Sequence, residues 1–549
     1  MHGLMQQQEL LISSLIEHAV AFHGDTEIVS NMPEGGQHRT NWRGIHGRSK
    51  QLANCLKALG VGHGARVGTL AWNTHRHLEL YFGVSGIGAV LHTVNPRLFQ
   101  EQIEYIVNHA EDEYLFFDIS FAALVEKIAP QCPTVRGFIA MTDRQNMPDI
   151  DVKNLLCYED LLAAQIDRYD WPQFDENTAS SLCYTSGTTG RPKGVLYSHR
   201  STVLHSFIVC AKDGLGLSAS DAVLLIVPLF HVNAWGVPYA AAMCGAKLVL
   251  PGPTLDGASI YGLLRDEKCN FSLGVPTVWL SFLDYVESQR AALDLEEIRL
   301  ARVVIGGSAA PRAIIEKFDT LFGAFLIQAW GMTETSPLAS IGNLLAKHRD
   351  LSLEKRYDLQ YKQGRAIYGV GIKIVDEKGD SLPHDGKAFG ELKVRGPWII
   401  ANYYKSEETT QLDADGWLTT GDVATIDGDG YIQITDRSKD VIKSGGEWIS
   451  SIDLENAALS HPAVQEAAVI GVSHSKWQER PLLIVIRKPN MALASSEMLS
   501  FLSDKVAKWW LPDEVVFVET LPHTATGKLL KTALRAQFRD HRLASDPAG

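Results

Sequence analysis

The feature that most constrains the fold is the alternation of short apolar runs with helical patterns up to about Gly364. Runs such as "YLFFD", "AVLLIVPL" and "ARVVIGGS" have the length of buried strands, and segments such as "HLELYFGVSGIG" and "PRAIIEKFDTLF" lie between them. Strands that alternate with helices are typical of parallel sheets covered by helices on both faces. The sequence therefore predicts an α/β fold with mostly parallel sheets flanked by helices.

The sequence pattern changes twice toward the C-terminus. From about Gly364, short alternating segments such as "GVGIKIVDEKG", "GELKVRG" and "GYIQITDR" predict a β-rich subdomain. After "DRSKD", helical patterns and strands mix in a smaller unit. Since 549 residues exceed what one hydrophobic core usually supports, at least two domains are expected. We predict a large N-terminal domain (1–436), a small mobile α+β C-terminal domain (437–549) and a hinge near 436–440.

Charge and cysteine content exclude some classes of protein. The net charge is −13, and general nucleic-acid binders usually carry a basic surplus instead. The seven cysteines are scattered without any C-x-x-C spacing, which predicts neither a disulfide framework nor a zinc site and fits the reducing cytoplasm. The N-terminus lacks the pattern of a signal peptide. The most apolar region, 222–250, is interrupted by Pro228, His231 and Lys247, so a strand, a loop and a helix are expected there rather than a membrane span.

One segment, "YTSGTTGRPKGV", concentrates glycines, hydroxyl residues and a lysine. Glycines let backbone N–H groups approach a ligand closely, hydroxyl groups donate hydrogen bonds, and Lys193 supplies a positive charge. This combination predicts a polyphosphate-binding loop, although its spacing differs from that of the P-loop. The alternative is a flexible surface loop that tolerates glycine.

The same segment resembles the phosphate-binding signature of the adenylate-forming superfamily. That superfamily includes acyl-CoA synthetases, luciferase-type enzymes and the adenylation domains of peptide synthetases. Four more segments follow in the superfamily's order: "QAWGMTETSP", "GWLTTGD", "DRSKDVIKSGGEWIS" and "PHTATGKLLK". The resemblance extends from about residue 10 to residue 540. It implies an ATP-dependent ligase in which a carboxylate and ATP give an acyl-adenylate and pyrophosphate, after which coenzyme A displaces AMP.

The resemblance also implies a nucleotide site. The residues expected to cover the β- and γ-phosphates are Thr185, Ser186, Gly187, Thr188, Thr189, Gly190 and Lys193. Those expected around the adenine and its neighbouring turn are Gly307, Ser308, Ala309, Gln328, Ala329, Trp330, Gly331 and Met332. Asp422 and Arg437 are expected at the ribose. Trp330 stands where the superfamily commonly has tyrosine, and His523 where it often has arginine.

Metal and catalytic roles follow from the same resemblance. Thr333 is expected to contact phosphate, and Glu334, together with Thr185, to hold Mg²⁺, which prefers oxygen ligands beside phosphates. Lys528, on the small domain, is expected to reach the α-phosphate during adenylation. For Glu334 a simple helix-start carboxylate is a compatible alternative.

The second half-reaction is expected to use a different arrangement of the domains. By resemblance, rotation about Lys439 withdraws Lys528 and brings "KSGGEWIS" to the site. Lys443, Gly445, Gly446 and Glu447 would then line the path of the coenzyme A thiol. A simple hairpin turn is a compatible alternative for this segment.

Of the predicted sites, the acyl pocket is the one that the sequence defines least. His231, Trp235, Gly331 and Pro337 are the candidate substrate-binding residues. His231 is either a catalytic gate for the carboxylate or a buried core histidine. Trp235 would shorten an acyl tunnel, which favours a short- or medium-chain acid, such as a branched, aromatic or thioether-bearing one.

The overall pattern resembles bacterial medium-chain acyl-CoA synthetases and methylmercaptopropionate-CoA ligases, and by resemblance the protein is a homodimer. Three alternative functions stay open at this point: a ligase that loads a carrier protein, a luciferase-like oxygenase, and a non-catalytic sensor. The presence of Glu334 and Lys528 argues against the sensor.

Overall fold

A computed structural model describes residues 1, 3–185, 191–437, 439–444, 447–523 and 529–546. The strands are β1 (Glu27–Asn31), β2 (Gln37–Asn41), β3 (Arg66–Leu70), β4 (Val90–Thr93), β5 (Asp112–Phe117), β6 (Gly137–Ala140), β7 (Leu155–Cys157), β8 (Ala179–Tyr184), β9 (Gly194–Ser198), β10 (Ala222–Leu225), β11 (Lys247–Leu250), β12 (Phe271–Gly274), β13 (Arg302–Ile305), β14 (Phe325–Gly331), β15 (Leu338–Ile341), β16 (Arg365–Ala366), β17 (Gly371–Val375), β18 (Phe389–Arg395), β19 (Leu418–Ile426), β20 (Ile432–Arg437), β21 (Ile442–Ser444), β22 (Glu447–Ile449), β23 (Val464–His474), β24 (Gln478–Arg487) and β25 (Glu514–Phe517).

The α-helices are α1 (Ile12–His23), α2 (Trp42–Ala58), α3 (His75–Gly86), α4 (Gln100–Ala110), α5 (Ala122–Ile128), α6 (Tyr158–Ala163), α7 (His199–Cys210), α8 (Val232–Trp235), α9 (Val237–Cys244), α10 (Gly257–Asp266), α11 (Pro276–Ser288), α12 (Arg312–Phe322), α13 (Leu353–Gln360), α14 (Ser451–Leu459), α15 (Ser495–Ser503) and α16 (Lys531–Gln537). They alternate with the strands over the first part of the chain, as the sequence predicts.

Two large sheets form the N-terminal domain. In the seven-stranded sheet the order is β7-β6-β5-β3-β4-β8-β9, and every pair except β8–β9 is parallel. In the nine-stranded sheet the order is β16-β15-β14-β13-β12-β10-β11-β1-β2, with antiparallel pairs only at its two ends. This confirms the prediction of mostly parallel sheets.

The burial of these elements explains why they form. In β5, Leu115, Phe116 and Phe117 are all fully buried, because helices cover both faces of a parallel sheet. Helix α12 buries Ile315 and Phe318 on one face, and it ends at Gly323, whose φ of 65° is the left-handed conformation that glycine adopts without a steric cost. The apolar strands and the amphipathic helix therefore require each other for burial.

The C-terminal part has the predicted mixed architecture. A four-stranded antiparallel sheet, β17-β18-β19-β20, forms the β-rich subdomain. Beyond it, β21 to β25 form a separate sheet with α14, α15 and α16 around it. Tyr361, which directly follows α13, contacts α14 of this last part: its hydroxyl donates to Asp453 Oδ1 (3.3 Å) and accepts from Asn456 Nδ2 (2.7 Å). The boundary at 436–440 stays a prediction.

The apolar region 222–250 folds as expected into β10, a turn with α9, and β11. In the part of the chain that the structure describes, we find no helix with the length and apolar character needed to cross a bilayer. The hairpin of β1 and β2 was not foreseen: β1 joins the edge of the nine-stranded sheet by pairing with β11.

Candidate active site

A cavity of about 970 Å³ lies between the N-terminal domain and the segment that follows Lys528. The predicted site residues that line it are Thr185, Lys193, His231, Trp235, Gly307, Ala329, Trp330, Gly331, Met332, Thr333, Glu334, Pro337, Arg437 and Lys439. Residues 529–532, on the C-terminal side, line it as well. Motifs separated by up to about 340 positions thus meet around one space.

Several predicted residues lie outside the described residues: Ser186, Gly187, Thr188, Thr189, Gly190, Gly445, Gly446 and Lys528. For Glu447 only the backbone, in β22, is described. Their roles stay predictions.

The predicted phosphate-binding segment lies between β8 and β9, and backbone hydrogen bonds hold its two described ends. The N–H of Thr185 donates to the Lys193 carbonyl (2.9 Å), and the N–H of Tyr404 donates to the carbonyl of Gly194 (2.8 Å). Strands β8 and β9 are buried for most of their length, whereas Lys193 is exposed at the cavity. The two strands therefore present the ends of this segment to the cavity.

A tyrosine connects Lys193, the predicted phosphate-binding lysine, to the predicted metal ligand. The Lys193 ammonium lies 4.7 Å from the ring centroid of Tyr403, and the Tyr403 hydroxyl donates to Glu334 Oε1 at 2.7 Å. Burial, together with the neighbouring Glu334 carboxylate, raises the pKa of Tyr403. Tyr403 therefore stays protonated and orients the carboxylate as a hydrogen-bond donor.

The backbone around Glu334 is fixed from two sides. The Tyr197 hydroxyl donates to the Thr333 carbonyl (2.7 Å), and the Ile400 N–H donates to the carbonyl of Glu334 (3.0 Å). Thr333 and Glu334 are each only 7% exposed.

Among the described residues no group of three or more His, Cys, Asp or Glu side chains could hold a metal. One carboxylate beside a phosphate loop suits Mg²⁺, which usually binds one or two carboxylates, phosphate oxygens and water.

The predicted ribose carboxylate, Asp422, is buried behind the cavity wall and held by two donors. The Trp330 indole N–H donates to Asp422 Oδ2 at 2.9 Å, and Arg437 Nε lies 2.8 Å from Oδ1. Asp422 and Arg437 are directly paired across β19 and β20. The resemblance predicts Trp330 beside the adenine, and the structure adds a hydrogen bond that orients Asp422.

This hydrogen bond gives a first testable prediction. Trp330→Phe keeps an aromatic ring but removes the donor, so the KM for ATP is expected to rise about tenfold, because a hydrogen bond to a charged group contributes about 1.5 kcal/mol or more. Steady-state kinetics with varied ATP measure this change. Trp398→Phe is the matched control: its buried indole donates to the Leu338 carbonyl (3.0 Å), so only stability should fall. An unchanged KM for ATP in folded Trp330→Phe would contradict the role.

The predicted acyl end of the cavity rests on an unusual turn. Residues 232–235, the segment α8, have φ angles of 46°, 51°, 48° and 58°, so α8 is a single left-handed turn rather than a right-handed helix, at a cost of roughly 1–2 kcal/mol per residue. The buried Asn233 side chain stabilises it by donating to Ser181 Oγ at 2.8 Å. The turn places Trp235 against Gly306, where a Cβ would lie 3.0 Å from the indole Cη2. His231, before the turn, also lines the cavity.

Besides Asp422, four predicted residues with described side chains do not line the cavity. The side chain of Gln328 is buried, accepts from the N–H of Ala310 (3.1 Å) and donates to the Tyr361 carbonyl (2.7 Å), so it fixes the backbone near the cavity. Ser308 and Ala309 follow Gly307 outside the lining. Lys443 lies elsewhere, with its ammonium 3.9 Å from Glu377.

Sequence reasoning missed several residues of the site. Trp72, Arg97 and Tyr403 line the cavity, and Tyr197 lies outside the lining but holds the Thr333 carbonyl. The Arg97 guanidinium lies 5.9 Å from the Trp72 ring centroid. A single aromatic residue in a loop has no periodicity that marks it as functional. For Tyr403, the one local feature in the sequence that could indicate a functional residue is the pair of adjacent tyrosines, Tyr403 and Tyr404, just before Lys405.

Comparison with known proteins agrees with this geometry. The AMP-binding enzyme family matches residues 16–404, and the AMP-binding enzyme C-terminal domain matches residues 453–528. The chain is an AMP-binding enzyme. It is 52% identical over 540 residues to the 3-methylmercaptopropionyl-CoA ligase of Ruegeria pomeroyi, covering 98% of this chain and 99% of that protein. The predicted adenylate-forming superfamily and its acyl-CoA synthetase branch are confirmed.

Other similar proteins differ in the acids that their names state. The enzyme is 49% identical to a medium-chain-fatty-acid–CoA ligase of Ectopseudomonas oleovorans, over 99% of both chains. It is 47% identical to a long-chain-fatty-acid–CoA ligase of Thermus thermophilus, over 98% of this chain and 97% of that one. Among solved structures, the anthranilate CoA ligase AuaEII in complex with anthranoyl-AMP superposes with a TM-score of 0.86 at 25% identity, covering 97% of this chain and 98% of that one.

Proposed function

We propose that this enzyme joins a short- or medium-chain carboxylic acid to coenzyme A, using ATP and Mg²⁺ and releasing AMP and pyrophosphate. One observation carries the proposal: a single cavity brings Lys193, Glu334 and Trp330 together with the apolar end at Trp235. A charged end for a nucleotide and an apolar end for an acyl chain are what acyl-adenylate formation requires.

In the first half-reaction, the carboxylate attacks the α-phosphate and pyrophosphate leaves. The main barrier is the negative charge on ATP, so preorganised donors and cations around the phosphates lower it. Lys193 lies at the predicted phosphate-binding segment. Tyr403 donates a hydrogen bond that orients the carboxylate of Glu334, the predicted Mg²⁺ ligand. Bound Mg²⁺ would neutralise phosphate oxygens there. Asp422, fixed by Trp330 and Arg437, is positioned to accept from the ribose hydroxyls.

In the second half-reaction, the thiol of coenzyme A attacks the acyl-adenylate and AMP leaves. We propose that the C-terminal domain rotates about Lys439 between the two steps. Residues 529–532 line the cavity while Lys443 lies at Glu377, an arrangement that suits adenylation. Burial lowers the pKa of Lys439 in this arrangement. Rotation would carry Lys443 and its neighbours to the thiol path.

We propose a short- or medium-chain acid because Trp235 lines the acyl end. A thioether acid such as 3-(methylthio)propanoate has a suitable length, and the name of the similar Ruegeria enzyme supports this choice. We further propose a cytoplasmic location, in keeping with seven free cysteines, and a homodimer on resemblance alone.

The decisive experiment is a panel of straight-chain, branched, aromatic and thioether acids, scored for AMP and acyl-CoA. We expect AMP to form only with acid, ATP, Mg²⁺ and coenzyme A together, with the highest kcat/KM among short- or medium-chain acids. Adenylate formation without thioester would favour a carrier-protein ligase, and light emission would favour an oxygenase. An optimum among long-chain acids would refute the proposed chain length.

Trp235→Ala is expected to shift the chain-length preference upward. An indole buries on the order of 200 Å², and a longer chain can fill the space it leaves at about 0.8 kcal/mol per buried methylene. The ratio of kcat/KM for octanoate over butyrate should therefore rise about tenfold or more. The control is Trp279→Phe, a fully buried tryptophan outside the cavity lining, which should lower stability without shifting the preference. An equal loss on all acids would show that Trp235 does not limit the tunnel.

A further inference from the structure

Two cysteine thiols meet where α7 and α9 end. Cys210 is the last residue of α7, and Cys244 is the last residue of α9. The Cys210 sulfur lies 3.5 Å from the Ala240 carbonyl oxygen. In a helix the carbonyl of residue 240 points along the axis toward residue 244. The Cys210 thiol therefore lies beside Cys244, and the two thiols shift each other's pKa in opposite directions.

Small side chains in α9 favour a close approach of the two helices. Helix α9 presents three consecutive alanines, Ala240 to Ala242, all fully buried, and small side chains at a helix contact let the two backbones approach closely. Cys210 and Cys244 are partly exposed, whereas the other five cysteines of the chain are buried. A small oxidant in water can therefore reach this pair more readily than any other thiol of the protein.

We propose that Cys210 and Cys244 form a reversible disulfide when the enzyme meets hydrogen peroxide. Cys244 attacks one peroxide oxygen, the O–O bond breaks, and Cys244 sulfenic acid and water form. The Cys210 sulfur then attacks the sulfenic sulfur, the S–S bond forms, the S–O bond breaks, and a second water leaves. Two thiols lose two electrons and two protons in total, and the peroxide is reduced to two waters.

Cys244 is the better nucleophile of the pair. The reactive form of cysteine is the thiolate, and the neighbouring Cys210 thiol lowers the pKa of Cys244. Disulfides in reducing compartments are usually transient and sense oxidants rather than stabilise the fold. The pair has the features of such a sensor: two adjacent thiols, partial exposure and one sulfur favoured as thiolate.

The disulfide would restrain the segment that carries Trp235, the residue proposed to limit the acyl tunnel. It closes the loop from residue 210 to residue 244, which contains the cavity-lining residues between Ile226 and Trp235. Helix α9 begins directly after Gly236, whose backbone packs on α7: a Cβ there would lie 2.7 Å from His205 Nδ1. Linking α9 to α7 therefore limits movement of the turn that holds Trp235. This consequence rests on the proposed function; the disulfide itself does not.

The first test uses mass spectrometry on the full-length enzyme. After treatment with hydrogen peroxide and alkylation of free thiols, we expect the loss of two hydrogen atoms per chain and a cross-linked peptide pair containing Cys210 and Cys244, both reversed by dithiothreitol. Cys210→Ser and Cys244→Ser should each abolish the cross-link, and Cys55→Ala, a buried thiol in α2, should retain it. Sulfinic acids without a cross-link, or a disulfide between two chains, would overturn the proposal.

The second test measures turnover. In the oxidised enzyme, kcat for octanoate should fall about fivefold, because an increase of about 1 kcal/mol in the barrier for movement of the Trp235 turn slows a step by that factor. The decrease in kcat for butyrate should be smaller. Dithiothreitol should restore the rate, and Cys210→Ser should be insensitive to disulfide formation. A confirmed cross-link with unchanged kcat for both acids would refute the proposed restraint of the Trp235 turn. If no acid is activated at all, the proposed function fails, while the mass measurement still decides the disulfide.

Discussion

Glu334→Gln is expected to lower kcat/KM for AMP formation by at least about a hundredfold, a loss comparable to removing one preorganised group from a transition state. The substitution keeps the size of the side chain but removes the negative charge that we propose attracts Mg²⁺. Because Glu334 is buried and accepts from Tyr403, its geometry should be retained. The Mg²⁺ concentration that gives half-maximal activity should rise at the same time. Initial rates over a series of Mg²⁺ concentrations measure both effects.

Two control variants separate charge from position. Glu407→Gln makes the same chemical change at an exposed glutamate that also lines the cavity, and it should leave the Mg²⁺ dependence unchanged. Tyr403→Phe keeps the Glu334 carboxylate but removes its donor, so we expect a smaller loss of about tenfold. If Glu334→Gln shows the Mg²⁺ dependence of the unmodified enzyme, another group holds the metal.

The sequence predicts the sheets and the order of the motifs because both depend on local patterns. Strands such as β5 are short, apolar and bounded by turns, and α12 has a clear buried face. The motif segments are contiguous, so each can be recognised without knowing what it contacts. Their meeting around one cavity follows from the α/β fold, in which the ends of parallel strands lie together.

What the sequence does not predict depends on contacts between distant residues. Tyr403 and Glu334 are separated by 69 positions, and Trp330 and Asp422 by 92. No local pattern indicates either hydrogen bond. The left-handed turn at residues 232–235 is hidden for another reason: valine and tryptophan rarely adopt positive φ, and only buried contacts such as that of Asn233 with Ser181 stabilise it.

Lys528→Ala is expected to separate the two half-reactions. Adenylation should fall by at least about a hundredfold, because the variant lacks the positive charge proposed to balance the α-phosphate and the attacking carboxylate. Lys528 lies outside the described residues, but residues 529–532 directly after it line the same cavity as Glu334. Thioester formation from a supplied acyl-adenylate should stay within about threefold of the normal rate, since less than about 0.7 kcal/mol would then be lost.

Lys443→Ala is the matched variant, because the same substitution on the same domain should have the opposite effect. Lys443 does not line the cavity and its ammonium lies 3.9 Å from Glu377, so adenylation should be retained. After rotation Lys443 would lie on the thiol path, so thioester formation from acyl-adenylate should slow. Pyrophosphate release and acyl-CoA formation, measured separately for both variants with a melting curve for each, give four rates to compare. If folded Lys528→Ala loses both half-reactions equally, one arrangement of the domains serves both steps and the proposed rotation is wrong.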